Sequence, residues 1–364
     1  MATTAPARPH AALIVALVTF LLAGGWVVLL LSGGRAPIDL MYPGEESGIA
    51  PLVAEAFGAD VLIEDSNGYD GAVFWAMARD FPAFDDTAPY MAEPRYRHQR
   101  ILTPAIASMG GDGTGAAIVL LVLGPVGVAL GAWAIADIAV RHGRPAWLGI
   151  LFFFPLLLAA AWGLSEPMAF GLAMVGVALC DRGRIGWAAV AFALGALARE
   201  PAALMALGCA FGLFVGRRAS LRSLWPLAVP AMVVVGWMAY LTTRFPPSPS
   251  TDRFDPLGLF DAGPTGQLLA LATVVLGLAA AWTWRDVPAL WPIGLLFVAL
   301  TLSYGGDLFR LQVVYRAGAP AFALGVAGLL GAALRRDRGE GGDDPASDDG
   351  SGERTSAPEA SIAG

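Results

Sequence analysis

Long apolar runs, almost without charge, make up most of this 364-residue chain. Charged residues are only 15% of the sequence, whereas a soluble globular chain carries about 25%. Because each transmembrane helix needs roughly 20 apolar residues, the pattern predicts an all-α polytopic membrane helix bundle with about ten transmembrane helices. The apolar runs cover residues 11–32, 114–140, 146–164, 167–180, 185–198, 201–216, 224–242, 267–284, 287–304 and 317–334.

Arg8 precedes the first predicted helix, and arginines follow the second, fourth, sixth, eighth and tenth, which defines an orientation. Cytoplasmic loops of membrane proteins carry an excess of basic residues, so these clusters are assigned to the cytoplasm. The chain is therefore predicted to be a multi-pass protein of the cell membrane with both termini cytoplasmic. The clusters comprise Arg8, Arg141, Arg144, Arg182, Arg184, Arg217, Arg218, Arg222, Arg285, Arg335, Arg336 and Arg338.

Two polar segments interrupt the apolar pattern. Residues 33–113 are predicted to form a long first extracytoplasmic loop with interfacial helices beside the membrane. Residues 337–364 hold eight acidic residues and two arginines and are too poor in apolar side chains to fold, which predicts a disordered acidic cytoplasmic tail. The transmembrane domain is then residues 1–336. The tail supplies most of the net charge of -7, and no basic footprint for nucleic acid is present.

The types of residue present exclude several chemistries. Every basic residue apart from histidine is arginine, which excludes a Schiff-base lysine and a P-loop lysine. Cys180 and Cys209 lie inside apolar runs and are predicted to be buried thiols. The three histidines are scattered without metal-ligand spacing. No cofactor is predicted, and the sequence has no clear motif for a divalent metal. It leaves the oligomeric state open.

Asp70 begins the most distinctive segment of the predicted outer loop. From Tyr69 onward, Val73, Phe74 and Met77, with Phe81, form an apolar stripe at helical spacing. Such a helix is predicted to lie in the membrane interface. Two interpretations of Asp70 remain open: it completes a helix cap that begins at Asn67, or it is a general base or metal ligand.

A basic cluster follows in the same loop, with Arg95, Arg97, His98 and Arg100 just before an apolar stretch. Such a cluster is either a charge belt at the membrane interface or a phosphate-binding site, because arginine makes bidentate contacts to phosphate oxygens. A positive-inside bias does not explain arginines on the outer face.

Further ionisable residues are assigned to short turns on the same outer face. Glu166 and the Arg199-Glu200 pair each precede a proline between two apolar runs, and Asp307 and Arg310 lie in the last outer loop. Each is either a simple turn residue or a group that faces a cavity and binds substrate.

Together these features resemble the GT-C superfamily of polytopic glycosyltransferases, and most closely its bacterial members linked to cell-surface glycopolymers. An acidic residue in a long first outer loop is typical of that superfamily. The resemblance covers about residues 11–216, and the C-terminal half agrees in hydropathy alone. The motifs that carry it are GYDG at 68–71, YRHQRILTP at 96–104, LSEP at 164–167 and LAREP at 197–201.

The resemblance implies a lipid-linked sugar donor, transfer on the outer face and a mechanism. Asp70 would deprotonate an acceptor hydroxyl, and Arg97 and Arg100 would hold the carrier phosphate. Glu166 or Glu200 would orient the acceptor or an arginine. Paired acids of the DxD type, frequent in the superfamily, are replaced here by adjacent acids at 64–65 and 85–86. A transporter or flippase for a lipid-linked or anionic solute, and a non-catalytic envelope-assembly protein, are the alternatives.

Overall fold

The computed structural model describes residues 9–111, 113–246, 264–303 and 318–340. This part of the chain is helical and contains no strand, apart from one isolated bridge between Gly44 and Glu64. Its α-helices, in chain order, are α1 (Pro9–Leu31), α2 (Ala50–Phe57), α3 (Asp70–Arg79), α4 (Pro94–Arg97), α5 (Leu102–Ala107), α6 (Thr114–Arg141), α7 (Leu157–Ala161), α8 (Glu166–Asp181), α9 (Ile185–Ala198), α10 (Pro201–Val215), α11 (Leu221–Leu224), α12 (Val229–Arg244), α13 (Pro264–Thr283), α14 (Trp291–Ser303) and α15 (Ala319–Glu340).

Three helical segments are long and apolar enough to cross a membrane, which makes this a membrane protein with a helical bundle. They are His10–Leu31, Thr114–Arg141 and Leu221–Arg244. The other apolar runs form shorter helical segments, at Ala146–Ala161, Ile185–Ala198, Pro201–Val215, Gln267–Thr283, Trp291–Leu302 and Ala319–Leu334, and run 167–180 forms α8. The last helix, α15, continues to Glu340, four residues into the predicted tail; residues 341–364 lie outside the described part.

Close contact between small residues holds α6 against α8. A Cβ on Gly127 would lie 2.3 Å from the backbone of Pro167, and one on Gly171 would lie 2.1 Å from the Gly127 carbonyl oxygen. Glycine therefore allows the two backbones to touch. At the other end, Arg141 of α6 forms an ion pair with Asp181, the last residue of α8. The two helices consequently run parallel, and residues 142–165 return along the bundle between them.

Two large apolar clusters form most of the core of the described structure, and a third, small one lies between α1 and α6. The first large cluster joins α6, α8, α9, α10, α14 and α15 around side chains such as Phe170, Phe192 and Trp284. The second lies beneath the 33–113 segment and encloses α3. The second cluster positions the N-terminus of α3, where the candidate site lies.

The environment of α3 differs from the sequence-based prediction. Its residues from Asp70 to Ala78 are all buried, so it is enclosed by protein and does not lie with one face in the membrane interface. Glycine and alanine lie between the large side chains of the predicted stripe, and they pack against neighbouring backbone. Trp75, on the predicted polar side, donates from Nε1 to the Gly113 carbonyl oxygen at 2.8 Å.

Candidate functional site

Asp70 is the first residue of α3 and follows Tyr69, whose backbone is extended. Asn67 is exposed, and in the described structure no side chain caps the start of this helix. The interpretation of Asn67 and Asp70 as a capping box is therefore wrong. The Asp70 residue is only 9% exposed, so its carboxylate requires polar partners within the protein.

Two arginines supply those partners. Arg97 Nη1 donates to Asp70 Oδ1, and Arg100 Nη1 donates to Asp70 Oδ2. The short helix α4 and the turn after it place these arginines 27 and 30 residues along the chain from Asp70. The structure thus brings together the three residues that the sequence singled out as base and phosphate ligands.

Tyr96 completes this group. Its hydroxyl accepts a hydrogen bond from Arg100 Nη2 at 2.6 Å, and the guanidinium carbon of Arg100 lies 5.0 Å from the Tyr96 ring centroid. In the sequence, Tyr96 is distinguished only as part of the motif at 96–104. Its position four residues before Arg100, on a helical turn, was the available signal for this contact.

A second ion pair lies beside the first group. Glu166 begins α8 and is fully buried, and Arg199, at the end of α9, donates from Nη1 to Glu166 Oε1. Glu200 precedes α10, and its Oε1 atom is buried with no hydrogen-bond partner among the described residues.

Electrostatic interactions link the group around Asp70 to the group around Glu166. Burial lowers the pKa of Arg100, but the Asp70 carboxylate, Tyr96, Glu200 and Glu166 together raise it by more. The net pKa of Arg100 lies above its ordinary value. Three acids and three arginines therefore share one buried region, which is called the Asp70 cluster below: Asp70, Arg97, Arg100, Glu166, Arg199 and Glu200.

His98 has a different environment from its two arginine neighbours. Its ring is fully buried and lies 4.6 Å, centroid to centroid, from both Phe84 and Phe245. Burial lowers the pKa of His98 below its ordinary value, although the Pro94 carbonyl and Asp80 act in the opposite direction. The ring is therefore uncharged near neutral pH, which does not suit a phosphate ligand.

The other predicted site residues are less informative. Arg95 is half-buried and has no ion pair within the described ranges. Asp307 and Arg310 lie outside the described residues. Among those that the structure does describe, no group of three or more His, Cys, Asp or Glu side chains could hold a metal ion.

The Asp70 cluster has a defined chemical capacity. Its formal charges balance, so it is not a ready-made anion site. However, the Nε atoms of Arg97 and Arg100 are buried without a hydrogen-bond partner in the described structure. An anion that reached them would find free donors and would compete with Asp70 for the same guanidinium groups.

Comparisons with known proteins return no match, whether against protein-family models, curated proteins or solved structures.

Proposed function

We propose that this chain is a membrane glycosyltransferase that moves a sugar from a polyprenyl-phosphate carrier to a cell-envelope acceptor on the extracytoplasmic face. The observation that carries the proposal is the buried Asp70 carboxylate held between Arg97 and Arg100. A carboxylate beside two guanidinium groups provides a proton acceptor and a phosphate ligand in one place, which hexosyl or pentosyl transfer from a phosphate ester requires.

Binding of the carrier phosphate would rearrange this group. The phosphodiester of a lipid-linked sugar is an anion, and guanidinium groups bind phosphate oxygens as well as carboxylate oxygens. The phosphate would draw Arg97 and Arg100 away from Asp70. Because an ionised carboxylate surrounded by arginines is a poor proton acceptor, this release would activate Asp70 only when the donor is present.

The transfer step follows from this arrangement. Asp70 accepts the proton of the acceptor hydroxyl, and the acceptor oxygen forms a bond to the anomeric carbon. The bond between that carbon and the phosphate oxygen breaks, and the electron pair leaves with the polyprenyl phosphate. Arg97 and Arg100 stabilise the second negative charge that develops on this leaving group. Glu166 would position Arg199, and Glu200 would accept a hydrogen bond from the acceptor.

The placement of charges favours a transferase over a transporter. A transporter holds its substrate near the middle of the membrane, with ionisable groups deep in its helices. In the three long candidate spans, the ionisable residues lie near the ends: His10 in the first, Asp137 and Arg141 in the second, and Arg222 and Arg244 in the third.

The proposal includes a membrane arrangement. About ten helical segments would cross the bilayer, with the shorter apolar helices counted with the three long spans. Both termini would face the cytoplasm, and the Asp70 cluster would face outward. The apolar helices would accommodate the polyprenyl chain.

The test uses the purified full-length chain in lipid, supplied with a panel of polyprenyl-phosphate sugars, with release of the carrier phosphate as the readout. Asp70→Asn should lower turnover by about 10²–10⁴-fold, the usual contribution of a positioned base. Asp65→Asn is the matched control, because Asp65 is an exposed acid of the same loop and should leave turnover unchanged.

Carrier binding separates this proposal from a purely structural ion pair. Because Asp70 competes with phosphate for two arginines, Asp70→Asn should bind polyprenyl phosphate more tightly than the parent. Arg97→Gln should bind it about tenfold more weakly, the loss expected for one charge-assisted hydrogen bond. Normal turnover in Asp70→Asn, with the parent active, would end the assignment of Asp70 as the base.

A further inference from the structure

Three helices of the bundle, α6, α8 and α10, end in the same type of turn. The second residue after the helix cap donates its N–H to the carbonyl five residues earlier, the pattern of a Schellman motif. The residue before it takes a left-handed backbone conformation in every case. The three hydrogen bonds are Arg144 to Ala139 at 2.7 Å, Arg184 to Leu179 at 2.8 Å and Arg218 to Leu213 at 2.9 Å.

The residue at the left-handed position differs among these turns. It is Gly143 (φ 68°) after α6 and Gly183 (φ 73°) after α8, but Arg217 (φ 53°) after α10. Glycine is the usual residue there, because a Cβ makes the conformation unfavourable. At the third turn the chain therefore carries a strained arginine where the two equivalent turns have glycine. Backbone strain of this kind clusters at functional sites.

The arginines of the three turns also differ in their partners. After α6, Arg144 pairs with Asp286 at 2.6 Å, and Arg141 pairs with Asp137 at 3.1 Å. After α8, Arg182 pairs with Asp137. After α10, Arg217, Arg218 and Arg222 are all exposed, and none has an ion pair within the described part of the chain. Only this last turn presents a concentrated positive charge to its surroundings.

A shallow groove of about 650 Å³ lies at this turn, lined by Phe214, Val215, Arg217, Arg218, Ala219 and Ser220. Large apolar side chains stand exposed beside the arginines: Phe214 is 52% exposed, Leu221 72% and Trp225 65%. Tryptophan beside basic residues is typical of the boundary between lipid headgroups and acyl chains. The groove thus offers charge for a phosphate and apolar surface for the chains attached to it.

We propose that the turn from Gly216 to Arg222 is a binding site for an anionic phospholipid. Arg217, Arg218 and Arg222 hold the phosphodiester of the headgroup, and Phe214 and Trp225 lie along its acyl chains. This site is separate from the Asp70 cluster and does not depend on the proposed transferase activity.

The first test measures affinity for phosphatidylglycerol, with phosphatidylcholine as the neutral reference lipid. The full-length chain in detergent is titrated with each lipid and followed by native mass spectrometry. Each basic residue near an anionic membrane surface strengthens the binding of an anionic lipid. Arg217→Gln or Arg218→Gln should therefore weaken phosphatidylglycerol binding about fivefold. The triple variant R217Q/R218Q/R222Q should weaken it on the order of a hundredfold. Binding of phosphatidylcholine should not change.

Arg184→Gln is the matched control, because Arg184 is an exposed arginine at the neighbouring turn and should leave phosphatidylglycerol affinity unchanged. An equal loss in Arg184→Gln would show a general charge effect and overturn the site. So would unchanged affinity in the two single variants. Full competition by equimolar glycerol 3-phosphate would show a soluble phosphate site and would overturn the lipid assignment.

Arg217→Gly separates the proposed function from the fold. Glycine relieves the left-handed strain, so this variant should unfold at a higher temperature than the parent in phosphatidylcholine. It should nevertheless bind phosphatidylglycerol more weakly than the parent. A more stable variant with undiminished affinity would show that Arg217 does not contact the lipid.

Discussion

Single side chains of the Asp70 cluster show how strongly its residues depend on one another. Glu166 is fully buried, and the side chain of Arg199 is 14% exposed. Removing the partner of a buried charge destabilises a protein far more than breaking an exposed ion pair does. The Glu166–Arg199 pair is therefore expected to be structural as well as functional.

Arg199→Gln should lower the free energy of unfolding by about 3–5 kcal/mol, because it leaves the Glu166 charge buried without its guanidinium. Arg244→Gln is the control. Arg244 pairs with Asp85 at 2.9 Å, with both side chains exposed, and its loss should cost about 0–1 kcal/mol. Thermal unfolding in the same detergent compares the two variants. Similar losses would show that the Glu166 pair has no special role.

His98 predicts a pH dependence of stability. Its folded pKa is lowered by burial, so the unfolded chain binds a proton at a higher pH than the folded chain does. The contribution of uncharged His98 to the free energy of unfolding is complete above the unfolded pKa of about 6.5. It is lost as the pH falls below that value. The fall in unfolding temperature from pH 7.5 to pH 5.5 should be smaller in His98→Gln than in the parent. An equal fall in both proteins would contradict the assignment.

The sequence indicates which residues of the 33–113 segment are unusual, but it does not show how they contact one another. Asp70, Arg97 and Arg100 are unlike the residues of an ordinary outer loop, and they meet in the structure. Their pairing could not be predicted, because it depends on how the intervening loop folds. His98 stands between the two arginines in sequence, yet its ring lies among phenylalanines. A linear motif does not show the direction of each side chain.

Helix α3 shows the same limit for a whole element. Helical periodicity predicted the helix, and the structure confirms it over Asp70–Arg79. The periodicity also predicted an exposed polar side, but that side consists largely of glycine and alanine. Such small residues suit close backbone contact as well as exposure, so the pattern could not show that α3 is enclosed.

Gly71→Ala should displace the start of α3. A Cβ at this position would lie 2.0 Å from the Trp162 carbonyl oxygen, and the backbone on either side cannot move away without shifting Asp70. We expect loss of both thermal stability and turnover in the proposed transfer reaction. Gly25→Ala in α1 is the control, because a Cβ there meets nothing within 4 Å and alanine favours a helix. Unchanged turnover in Gly71→Ala would show that this contact can relax.

The apolar run 146–164 was predicted as one transmembrane helix and has a more broken structure. It consists of 3₁₀ segments at Ala146–Phe152 and Phe154–Leu156, followed by the short helix α7. Pro155 lies at the break, and proline lacks the N–H that a continuous helix uses. Hydropathy identifies an apolar run but does not determine its backbone conformation.

For the whole molecule, the sequence predicts about ten membrane spans, whereas the described structure has three long ones. The two numbers differ because the remaining helices are short. At 1.5 Å per residue, a helix of 13–16 residues covers roughly 20–24 Å, less than the hydrocarbon core of about 30 Å. Such helices cross a membrane only with the help of flanking residues or local thinning. Sequence hydropathy counts apolar runs and cannot distinguish these cases.

The C-terminal ends of α6 and α8 fix the side on which Arg184 lies. The ion pair between Arg141 and Asp181 places these two ends together, so Arg184 lies on the side where α6 ends. Because α6 follows the 33–113 segment and is one of the three long candidate spans, Asp65 and Arg184 are expected to face opposite sides of the membrane. Asp65→Cys and Arg184→Cys test this with a membrane-impermeant maleimide, because both positions are exposed while the native Cys180 and Cys209 are free and buried. We expect intact cells to label Asp65→Cys alone, permeabilised cells to label both variants, and the parent to give little signal. Labelling of both variants in intact cells would show that α6 does not separate the two positions across the membrane and would contradict the proposed arrangement.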